Sequence, residues 1–368
     1  MEHRDNKASI LITSVPAEAK GGIFALQQVL YGNLAEKRSG MILFPIASRR
    51  PFEERMTIRL IRTLARANGF FWLLRKDRTI RAVHINTAYD PKALLRDSLF
   101  LLASKLCGKK VVLQVHQQIG SVNKRLAVWI TRHIFSLSDR ILVFSKESRT
   151  NLASMVPAEK IQIFPNAVCV KDFLSDDRTF KKALSIPDHG KVVLFLARLI
   201  KEKGVYDVIA SIPEVAANFR DVYFVFAGDG PERQGMEARC KQDGVEERVR
   251  FTGHIPYHDV IRVYACSDIF LFPTYYSEGM PMVVLQALAA GLPIISGAAG
   301  AIPDIVQDEV NGFLVEPRSP KKIAEKTLLL LTDEALRKRM RVANRELAMS
   351  DFDRDTITKK LEALYASL

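Results

Sequence analysis

The sequence has few cysteines, no long apolar run and none of the common phosphate-binding loops. Its four cysteines form no Cys-x-x-C pair, which is typical of a reduced protein without disulfides. The longest apolar stretch, Leu99–Ala103, is interrupted at Ser104 and is far shorter than the ~20 residues of a membrane-spanning helix. There is no G-x-G-x-x-G or Walker motif, and no His/Cys cluster has metal-ligand spacing. We therefore expect neither a bound metal nor a cofactor.

The N-terminal segment lacks the features of a signal peptide. Residues 1–7 include the acids Glu2 and Asp5, and the apolar run that follows them is short. Together with the scattered cysteines, this predicts a cytoplasmic protein.

The composition is that of a globular protein with two domains. The chain has 368 residues, of which 48% are hydrophobic and 26% charged. At roughly 100–200 residues per domain, this length favours two domains. Each half is long enough to bury a core of its own.

The positive charge is concentrated in the first half of the chain. The formal net charge is +13; residues 1–175 contain 28 Lys and Arg against 13 Asp and Glu, and residues 176–368 contain 26 against 28. A basic first half is expected to attract a phospholipid surface, a pyrophosphate-linked acceptor or a nucleic acid. No nucleic-acid-binding motif is present, so we expect no nucleic-acid partner.

Short apolar runs alternate with longer helical stretches along the whole chain. Six predicted strands lie in each half: Ser9–Val15, Met41–Ile46, Ala82–Thr87, Val111–His116, Arg140–Ser145 and Lys160–Pro165, then Val192–Arg198, Val222–Gly228, Val249–Gly253, Ile269–Pro273, Pro293–Ser296 and Gly312–Val315. Such runs suit parallel strands buried on both faces, and their alternation with helices implies βαβ units. The sequence predicts an α/β fold with two Rossmann-like, doubly wound domains facing a cleft.

The domain boundaries are predicted from turn-forming residues. The polar segment Val168–Lys191 fits a linker, so we expect one domain over residues 1–175 and another over residues 176–350. Residues 351–368 are predicted to form a C-terminal helix that packs back on the first domain. Asp353 and Asp355 have the D-x-D spacing of a metal-binding carboxylate pair, but we interpret them as the start of this helix.

Two cations follow the first predicted strand of the second domain. Arg198 ends this strand, and Lys203 lies in the turn before a helix. Cations beside a helix N-terminus suit a diphosphate, because each charge-assisted hydrogen bond contributes roughly 1.5–3 kcal/mol. The alternative is a solvated basic loop, in which Lys201 and Lys203 face water.

A second candidate loop follows the predicted strand Ile269–Pro273. Glu278 lies at its tip, where a carboxylate can accept hydrogen bonds from sugar hydroxyls. Gly279 lets the backbone approach a ligand closely. The alternative interpretation of Glu278 is an acid that complements the dipole of the following helix.

The residues after this loop extend the candidate site. The N–H groups of Met280 and Met282, on either side of Pro281, are predicted to open a helix and to meet a phosphate. Gln286 lies eight residues after Glu278, about two helical turns along nearly the same face. We therefore expect Gln286 to reach the same ligand.

Six segments of the second half together resemble a known family. In chain order they are Arg198 with Lys203–Gly204, Phe226–Pro231, Phe251–His254, the Glu278 loop, Pro303–Val306 and Asn311–Val315. In this order and at this spacing they resemble glycosyltransferase family 4. The resemblance covers nearly the whole chain and is strongest over residues 191–317.

This resemblance implies a GT-B fold and a retaining glycosyltransferase that uses a nucleotide-sugar donor. It implies that Arg198 and Lys203 neutralise the donor diphosphate and that Glu278 holds the donor sugar. The backbone after Gly253, including His254, is implied to border the nucleotide base. The resemblance thus assigns the donor to the second domain.

Two positions depart from the family pattern. The family has two glutamates eight residues apart, the second of which contacts the ribose, whereas this chain has Gln286 at the second position. An amide still hydrogen-bonds hydroxyls, but without charge. We therefore expect weaker nucleotide binding or a different base preference. Asp304 is a smaller change, at a position where Glu is commoner.

The first half resembles the family more loosely. Gly22 belongs to a Gly-Gly pair like the family loop near the donor phosphate, and the alternative is a flexible turn. His116 ends a predicted strand at the position where the family often has a histidine that points at the donor sugar; the alternative is a packing or surface histidine. Asn166 resembles part of a Pro-Asn-Gly-Val turn, in which Ala167 replaces the glycine.

A basic helix is predicted before the third strand. Its arginines are spaced four, three and four residues apart, which places them on one helical face: Arg55, Arg59, Arg62 and Arg66. Apolar residues such as Leu60 and Leu64 fall on the other side, and the apolar segment Phe70–Leu74 follows. This pattern suits a membrane interface or acceptor-binding surface. The alternative is a surface helix whose apolar side packs on its own sheet.

These observations predict a hexosyltransferase with His116, Arg198, Lys203 and Glu278 as its catalytic residues. The expected donor is a UDP- or GDP-sugar, and the expected acceptor is a glycan or a lipid-linked glycan of surface-polysaccharide assembly. The protein is expected on the anionic inner face of the cell membrane, as a peripheral protein. Two alternatives remain open: a nucleotide-sugar 2-epimerase on the same fold, and a non-catalytic partner in which Gln286 marks lost donor binding.

Overall fold

The computed structural model describes residues 9–14, 29–30, 40–46, 56–120 and 125–368, apart from the side chains at 56, 59 and 125–127. The chain divides into two compact units. The first unit contains Met1–Ala167 and Asp355–Leu368, and the second unit contains Val168–Arg354. The division at residues 175 and 350 into acceptor and donor domains stays a prediction.

The sheet of the first unit has six described strands, all parallel. They are β1 (Ser9–Ser14), β2 (Met41–Pro45), β3 (Ile80–Thr87), β4 (Lys110–Val115), β5 (Arg140–Val143) and β6 (Ile161–Ile163). Their order across the sheet is β2-β1-β3-β4-β5-β6. The central strands are buried along almost their whole length, as strands covered on both faces must be.

The second unit repeats this architecture. Its strands are β7 (Lys191–Leu196), β8 (Val222–Ala227), β9 (Val249–Gly253), β10 (Ile269–Phe272), β11 (Ile294–Gly297) and β12 (Gly312–Val315). The order is β12-β11-β10-β7-β8-β9, again all parallel. The strand order reverses between β7 and β10, and ligands of such sheets bind beyond the carboxyl ends of the strands at this reversal. The predicted α/β class with two doubly wound sheets is confirmed.

Helices connect these strands. The described α-helices are α1 (Met56–Lys76), α2 (Pro91–Leu106), α3 (Arg125–Ile134), α4 (Lys146–Ala153), α5 (Phe180–Ala183), α6 (Val205–Asn218), α7 (Arg233–Gln242), α8 (Tyr257–Ala265), α9 (Met282–Ala290), α10 (Ile302–Ile305), α11 (Pro320–Thr332), α12 (Glu334–Leu347) and α13 (Arg354–Ala366). None of these helices is long and apolar enough to cross a membrane. At α2, the Asp90 side chain accepts hydrogen bonds from the N–H groups of Lys92 and Ala93, which caps the helix where the chain leaves β3.

Aromatic packing joins α1 and α2 to the first sheet. The ring of Phe70 on α1 lies 5.1 Å from that of Phe44 on β2 and 5.1 Å from that of Phe100 on α2, both in edge-to-face geometry. Phe70 and Phe100 are fully buried. This cluster fixes which side of α1 faces the core.

The C-terminal helix α13 belongs to the first unit from Asp355 onward. Its Tyr365 hydroxyl lies 2.6 Å from Nδ1 of His84, a buried residue of β3. The helix begins at Arg354, within the Asp353–Asp355 motif, as the sequence predicted. Just before it, the N–H of Val168 donates to the carbonyl of Phe352, so the two points where the chain passes between units lie side by side.

We expect the first unit to lose stability as the pH falls from 7 to 5. Burial lowers the pKa of His84 from 6.5 to about 3 and that of His116 to about 4, so both stay neutral when folded. In the unfolded chain both take up protons near pH 6.5. The unfolded state therefore binds more protons across this window, which costs about 2 kcal/mol per histidine at pH 5.

Urea unfolding at pH 7 and pH 5 measures this loss. The His84→Gln variant is expected to be less stable at pH 7 but to lose about 2 kcal/mol less than the wild type on acidification. Equal pH dependence of the two proteins would contradict the assignment of His84 as a buried neutral histidine.

Candidate functional site

The candidate site of the second unit lies at the carboxyl ends of β7 and β10. The loop after β7 carries a 3-10 turn, Lys201–Lys203, and the loop after β10 runs to the start of α9 at Met282. The two loops are tied together, because the N–H of Tyr275 donates to the carbonyl of Glu202 at 2.9 Å. The site therefore coincides with the reversal of strand order, where this kind of sheet binds ligands.

Lys203 and Glu278 form an ion pair between these loops, from Nζ to Oε1. Their side chains are only 14% and 11% exposed. The hydroxyl of Thr274 lies 3.1 Å from the same carboxylate oxygen and accepts a hydrogen bond from the N–H of Tyr276. A largely buried charge needs a partner, so each ion holds the other in the site. An anionic ligand at this position would compete with Glu278 for Lys203.

Two aromatic rings complete the environment of Lys203. Its Nζ lies 5.2 Å from the ring centre of Phe272 and 4.8 Å from that of Tyr276, within cation–π range. Sequence reasoning missed Thr274 and Tyr276 as parts of the site. The signal that could have found them is their position directly after a buried strand.

Glycines let the loops pack this closely. Gly204 has φ +77° and precedes α6, and a Cβ there would overlap the carbonyl oxygen of Pro273. Gly300 has φ +59°, and a Cβ there would overlap the carbonyl oxygens of Glu278 and Gly279. Both positions need a left-handed backbone and tolerate no side chain. The backbone that carries Glu278 therefore rests directly on the loop after β11.

Arg198 lies two residues beyond the end of β7 and is exposed. Within the described residues its side chain has no ion pair or hydrogen bond, unlike Lys203. Its guanidinium is thus available to an anion without breaking a protein contact. The predicted cations therefore differ: Arg198 is open to solvent and Lys203 is held by Glu278.

The helix after the Glu278 loop begins later than the sequence reasoning assumed. Pro281 is the extended N-cap of α9, which starts at Met282. The eight-residue interval from Glu278 to Gln286 therefore includes four loop residues, and the prediction that it amounts to two helical turns is wrong. Gln286 is buried, one turn into the helix.

Backbone groups at this helix start are suited to an anion. The N–H of Met282 belongs to the first turn of α9, where N–H groups have no acceptor within the helix. Met280 lies before the helix, so the prediction that its N–H opens the helix is wrong. The carbonyl of Gly279 accepts from the N–H of Ala301 at 2.9 Å, which fixes the loop.

The predicted base-binding segment follows β9, two strands beyond β7 in the sheet. Gly253 ends β9 with φ +67°, and its carbonyl accepts from the N–H of Gly228 at 2.9 Å. His254 is exposed. The structure thus places Gly253 beside the loop after β8, on the same sheet as Lys203.

In the first unit, His116 follows β4 and is partly exposed. Its Nε2 lies 2.7 Å from Oδ1 of Asn86 on β3, and its ring lies 5.4 Å from that of Phe144. Burial lowers the pKa of His116 to about 4, so the imidazole is neutral at pH 7. Asn166 is buried, and Gly22 lies outside the described residues.

The basic helix α1 differs from its predicted arrangement. Arg62 and Arg66 are partly buried, and Nη1 of Arg66 lies 3.4 Å from the carbonyl of Ile46. Leu60, Ile61 and Leu64 are instead exposed, at 57%, 66% and 50%. The interpretation that this apolar side packs on the sheet is therefore wrong. Arg55 and the side chain of Arg59 lie outside the described part of the chain.

No group of three or more His, Cys, Asp or Glu side chains within the described ranges is placed to hold a metal ion. The described part of the site offers cations, one carboxylate and backbone N–H groups. This set suits an anionic ligand that also carries hydroxyl groups.

Comparison with known proteins gives consistent matches. Residues 176–347 match the family model of glycosyl transferases group 1. The chain is 26% identical over 235 residues to an uncharacterised glycosyltransferase of Methanocaldococcus jannaschii, covering 62% of this chain and 60% of that protein. It is 28% identical over 277 residues to the GDP-mannose-dependent alpha-(1-6)-phosphatidylinositol monomannoside mannosyltransferase of Mycobacterium tuberculosis, covering 72% of each.

The fold is also found in solved structures. The chain superposes on Anabaena Alr3699/HepE, which was crystallised with UDP, with a TM-score of 0.78. That superposition covers 98% of this chain and 100% of the other at 18% identity, so it shows a shared fold.

Proposed function

We propose that this chain, whose residues 176–347 match the family model of glycosyl transferases group 1, moves a hexose from a nucleotide-sugar donor to a hydroxyl of a glycan or lipid-linked acceptor. The observation that carries this proposal is the Lys203–Glu278 ion pair beside the exposed Arg198 loop, at the carboxyl ends of β7 and β10. It supplies positive charge for a diphosphate and a carboxylate for sugar hydroxyls within one site.

The donor diphosphate is proposed to bind Arg198, Lys203 and the N–H groups at the start of α9. When its phosphate oxygens pair with Lys203, Glu278 is released to accept hydrogen bonds from the sugar hydroxyls. The ion pair thus keeps both side chains in place before the donor arrives. When the donor binds, its phosphate replaces the Glu278 carboxylate as the partner of Lys203.

The proposed reaction retains the configuration at the anomeric carbon. The bond between that carbon and the diphosphate oxygen breaks, and negative charge builds on the leaving diphosphate. Fixed cations and N–H groups stabilise that charge more in the transition state than in the ground state. The acceptor hydroxyl attacks from the face that the diphosphate leaves, and its proton passes to the leaving phosphate.

Both UDP and GDP are candidate donor nucleotides. The mycobacterial relative is named for GDP-mannose, and the Anabaena protein was crystallised with UDP. Gln286, in place of the family's second glutamate, is proposed to contact the ribose through neutral hydrogen bonds.

We expect one class of nucleoside diphosphate to raise the Tm of the purified protein. A ligand at 100 times its Kd adds about 2.7 kcal/mol to the apparent free energy of unfolding, because it binds the folded state alone. Differential scanning fluorimetry with UDP, GDP, ADP and their sugar esters measures the shift. The shift is expected to shrink strongly in Arg198→Ala and to persist in Lys201→Ala, an exposed cation of the same loop.

Product analysis then separates the alternatives. Transfer to an added acceptor supports the proposal, whereas conversion of the donor alone into an epimer would favour the 2-epimerase. A folded protein with no shift for any nucleotide, and none in Gln286→Glu, would favour the non-catalytic partner.

A membrane surface is proposed to present the acceptor, with the protein peripheral on its cytoplasmic face. The outer side of α1 exposes Leu60, Ile61, Leu64 and Trp72. The neighbouring helix α2, which packs on α1, exposes Leu95, Leu102 and Leu106. Exposed apolar side chains beside a strong excess of Lys and Arg suit an anionic lipid interface.

We expect the protein to sediment with anionic vesicles of phosphatidylglycerol and phosphatidylcholine more than with neutral phosphatidylcholine vesicles. Replacing Leu60, Ile61 and Leu64 with glutamine is expected to reduce this binding, since each buried aliphatic side chain contributes about 1.5–3 kcal/mol. The matched control replaces Val310 and Val342, exposed residues of the second unit, with glutamine. Equal sedimentation of both variants would count against this surface.

A further inference from the structure

A chain of hydrogen bonds crosses three neighbouring strands of the first unit and ends at His116. On β3, Asn86 donates from its backbone N–H to the hydroxyl of Thr13 at 2.8 Å and from Nδ2 to the carbonyl of Thr13 at 2.8 Å. Its Oδ1 then lies 2.7 Å from Nε2 of His116. Thr13 and Asn86 are both buried.

The direction of these hydrogen bonds follows from the groups involved. The Thr13 carbonyl can only accept, so the atom of Asn86 that faces it is the NH₂ group. The atom that faces His116 is therefore the amide oxygen, which also can only accept. Nε2 of His116 must then carry the proton, and in the neutral ring Nδ1 carries a lone pair.

We propose that Asn86 is a positioning residue that holds His116 as the Nε2–H tautomer, so that Nδ1 accepts a hydrogen bond from a substrate hydroxyl. This assignment rests on the proposed function, which supplies a substrate that carries hydroxyl groups. It gives Asn86 a role in specificity: a hydroxyl group is recognised at Nδ1, and a group that only accepts hydrogen bonds is rejected.

The surroundings of the ring support this role. Packing against Phe144 limits the ring orientation, and burial keeps the ring neutral by lowering its pKa to about 4. Among the residues that the structure describes, His84 on β3 is a titratable neighbour, and burial lowers its pKa to about 3, so it is neutral near pH 7. Within the described residues Nδ1 has no protein partner, and the side chain is partly exposed.

The tautomer can be observed directly by two-bond ¹H–¹⁵N correlation spectra of ¹⁵N-histidine-labelled full-length protein, with His116 assigned by His116→Gln. The wild type is expected to show a protonated Nε2 and an unprotonated Nδ1 at pH 7. In Asn86→Leu, which keeps the branched shape of the side chain but removes the acceptor for His116 and the donor to Thr13, a mixture of tautomers is expected. Tyr365→Phe is the matched control, because it breaks the hydrogen bond to His84 on the same strand and leaves Asn86 intact.

Measurements of transfer activity distinguish a positioning role of Asn86 from a role in stability alone. Asn86→Leu is expected to lower kcat for transfer by about 10–100-fold, since misplacement of a contacting group costs up to about 100-fold. Tyr365→Phe is expected to lower Tm without this loss. Asn86→Asp keeps an acceptor but adds a negative charge, which raises the pKa of His116. In the pH profile of kcat for Asn86→Asp, the acid limb is therefore expected to move to higher pH by about 1–3 units.

The outcomes are distinct. Nε2–H in the wild type, its loss in Asn86→Leu and the shifted acid limb in Asn86→Asp support the proposal. An Nδ1–H ring in the wild type, or an Asn86→Leu variant that differs only in Tm, would overturn it. Absence of any transfer by the wild type would instead refute the proposed function, while the spectra still decide the tautomer.

Discussion

Replacing Arg198 with alanine is expected to lower kcat/KM for sugar transfer by about 10–100-fold while leaving Tm unchanged. The side chain is exposed and holds no protein partner within the described residues, so its removal costs the fold nothing. It takes away the proposed charge-assisted contact to the leaving diphosphate, worth about 1.5–3 kcal/mol. Steady-state kinetics with the donor identified in the fluorimetry panel measure the loss.

The double replacement of Arg198 and Lys203 with alanine is expected to lower kcat/KM by about 10²–10⁴-fold. Here Tm falls as well, because Glu278 is left largely buried without its cation. Lys201→Ala controls for net charge, since this exposed cation lies in the same turn. Near-normal turnover by the double variant would refute the donor site.

Gly300→Ala is expected to lower the rate of sugar transfer by about 10²-fold and to lower Tm, although the residue carries no functional group. The backbone at residue 300 has a φ of +59°, which an alanine adopts at a cost of about 1–2 kcal/mol in conformational free energy. The Cβ of that alanine would also overlap two carbonyl oxygens of the Glu278 loop. Relieving that overlap must shift the backbone that carries Glu278. A displacement of about 1 Å at a catalytic group lowers the rate by about 10²-fold.

The matched control for this variant is Gly244→Ala. Gly244 has a similar φ of +65°, and a Cβ there would meet no atom within 4 Å. Both variants therefore carry the same backbone strain, but only Gly300→Ala disturbs the Glu278 loop. Fluorimetry with the nucleotide and transfer assays compare them. Equal loss of activity in the two variants would show that strain alone is responsible.

Predictions from hydrophobic patterning succeeded across both sheets. Parallel strands are buried on both faces, so each appears in the sequence as a short apolar run bounded by turn residues. All twelve described strands overlap their predicted runs. The segments that resemble the family are also recognisable in the sequence because each is local: the cations lie in the loop after β7 and the carboxylate lies in the loop after β10, and the model of glycosyl transferases group 1 matches residues 176–347.

Predictions about side-chain environment were less successful. The interval between Glu278 and Gln286 matched a helical period by coincidence, since a proline N-cap delays α9 to Met282. On α1 the sequence shows an amphipathic pattern, but the core contact is made by Phe70, and Leu60 and Ile61 remain exposed. Helical periodicity reports which residues share a face, and packing partners decide which face is covered.

The sequence by itself determined which strands the motifs follow, the division of charge between the halves and the resemblance to a glycosyltransferase family. Only the tertiary structure decided that Lys203 pairs with Glu278, that Thr274 and Tyr276 surround this pair, and that Asn86 reaches His116. The Lys203–Glu278 and Asn86–His116 contacts join residues that follow or belong to different strands and lie up to 75 positions apart in the sequence. Local spacing carries no information about them, because parallel neighbours meet only after a crossover helix has returned the chain to the sheet.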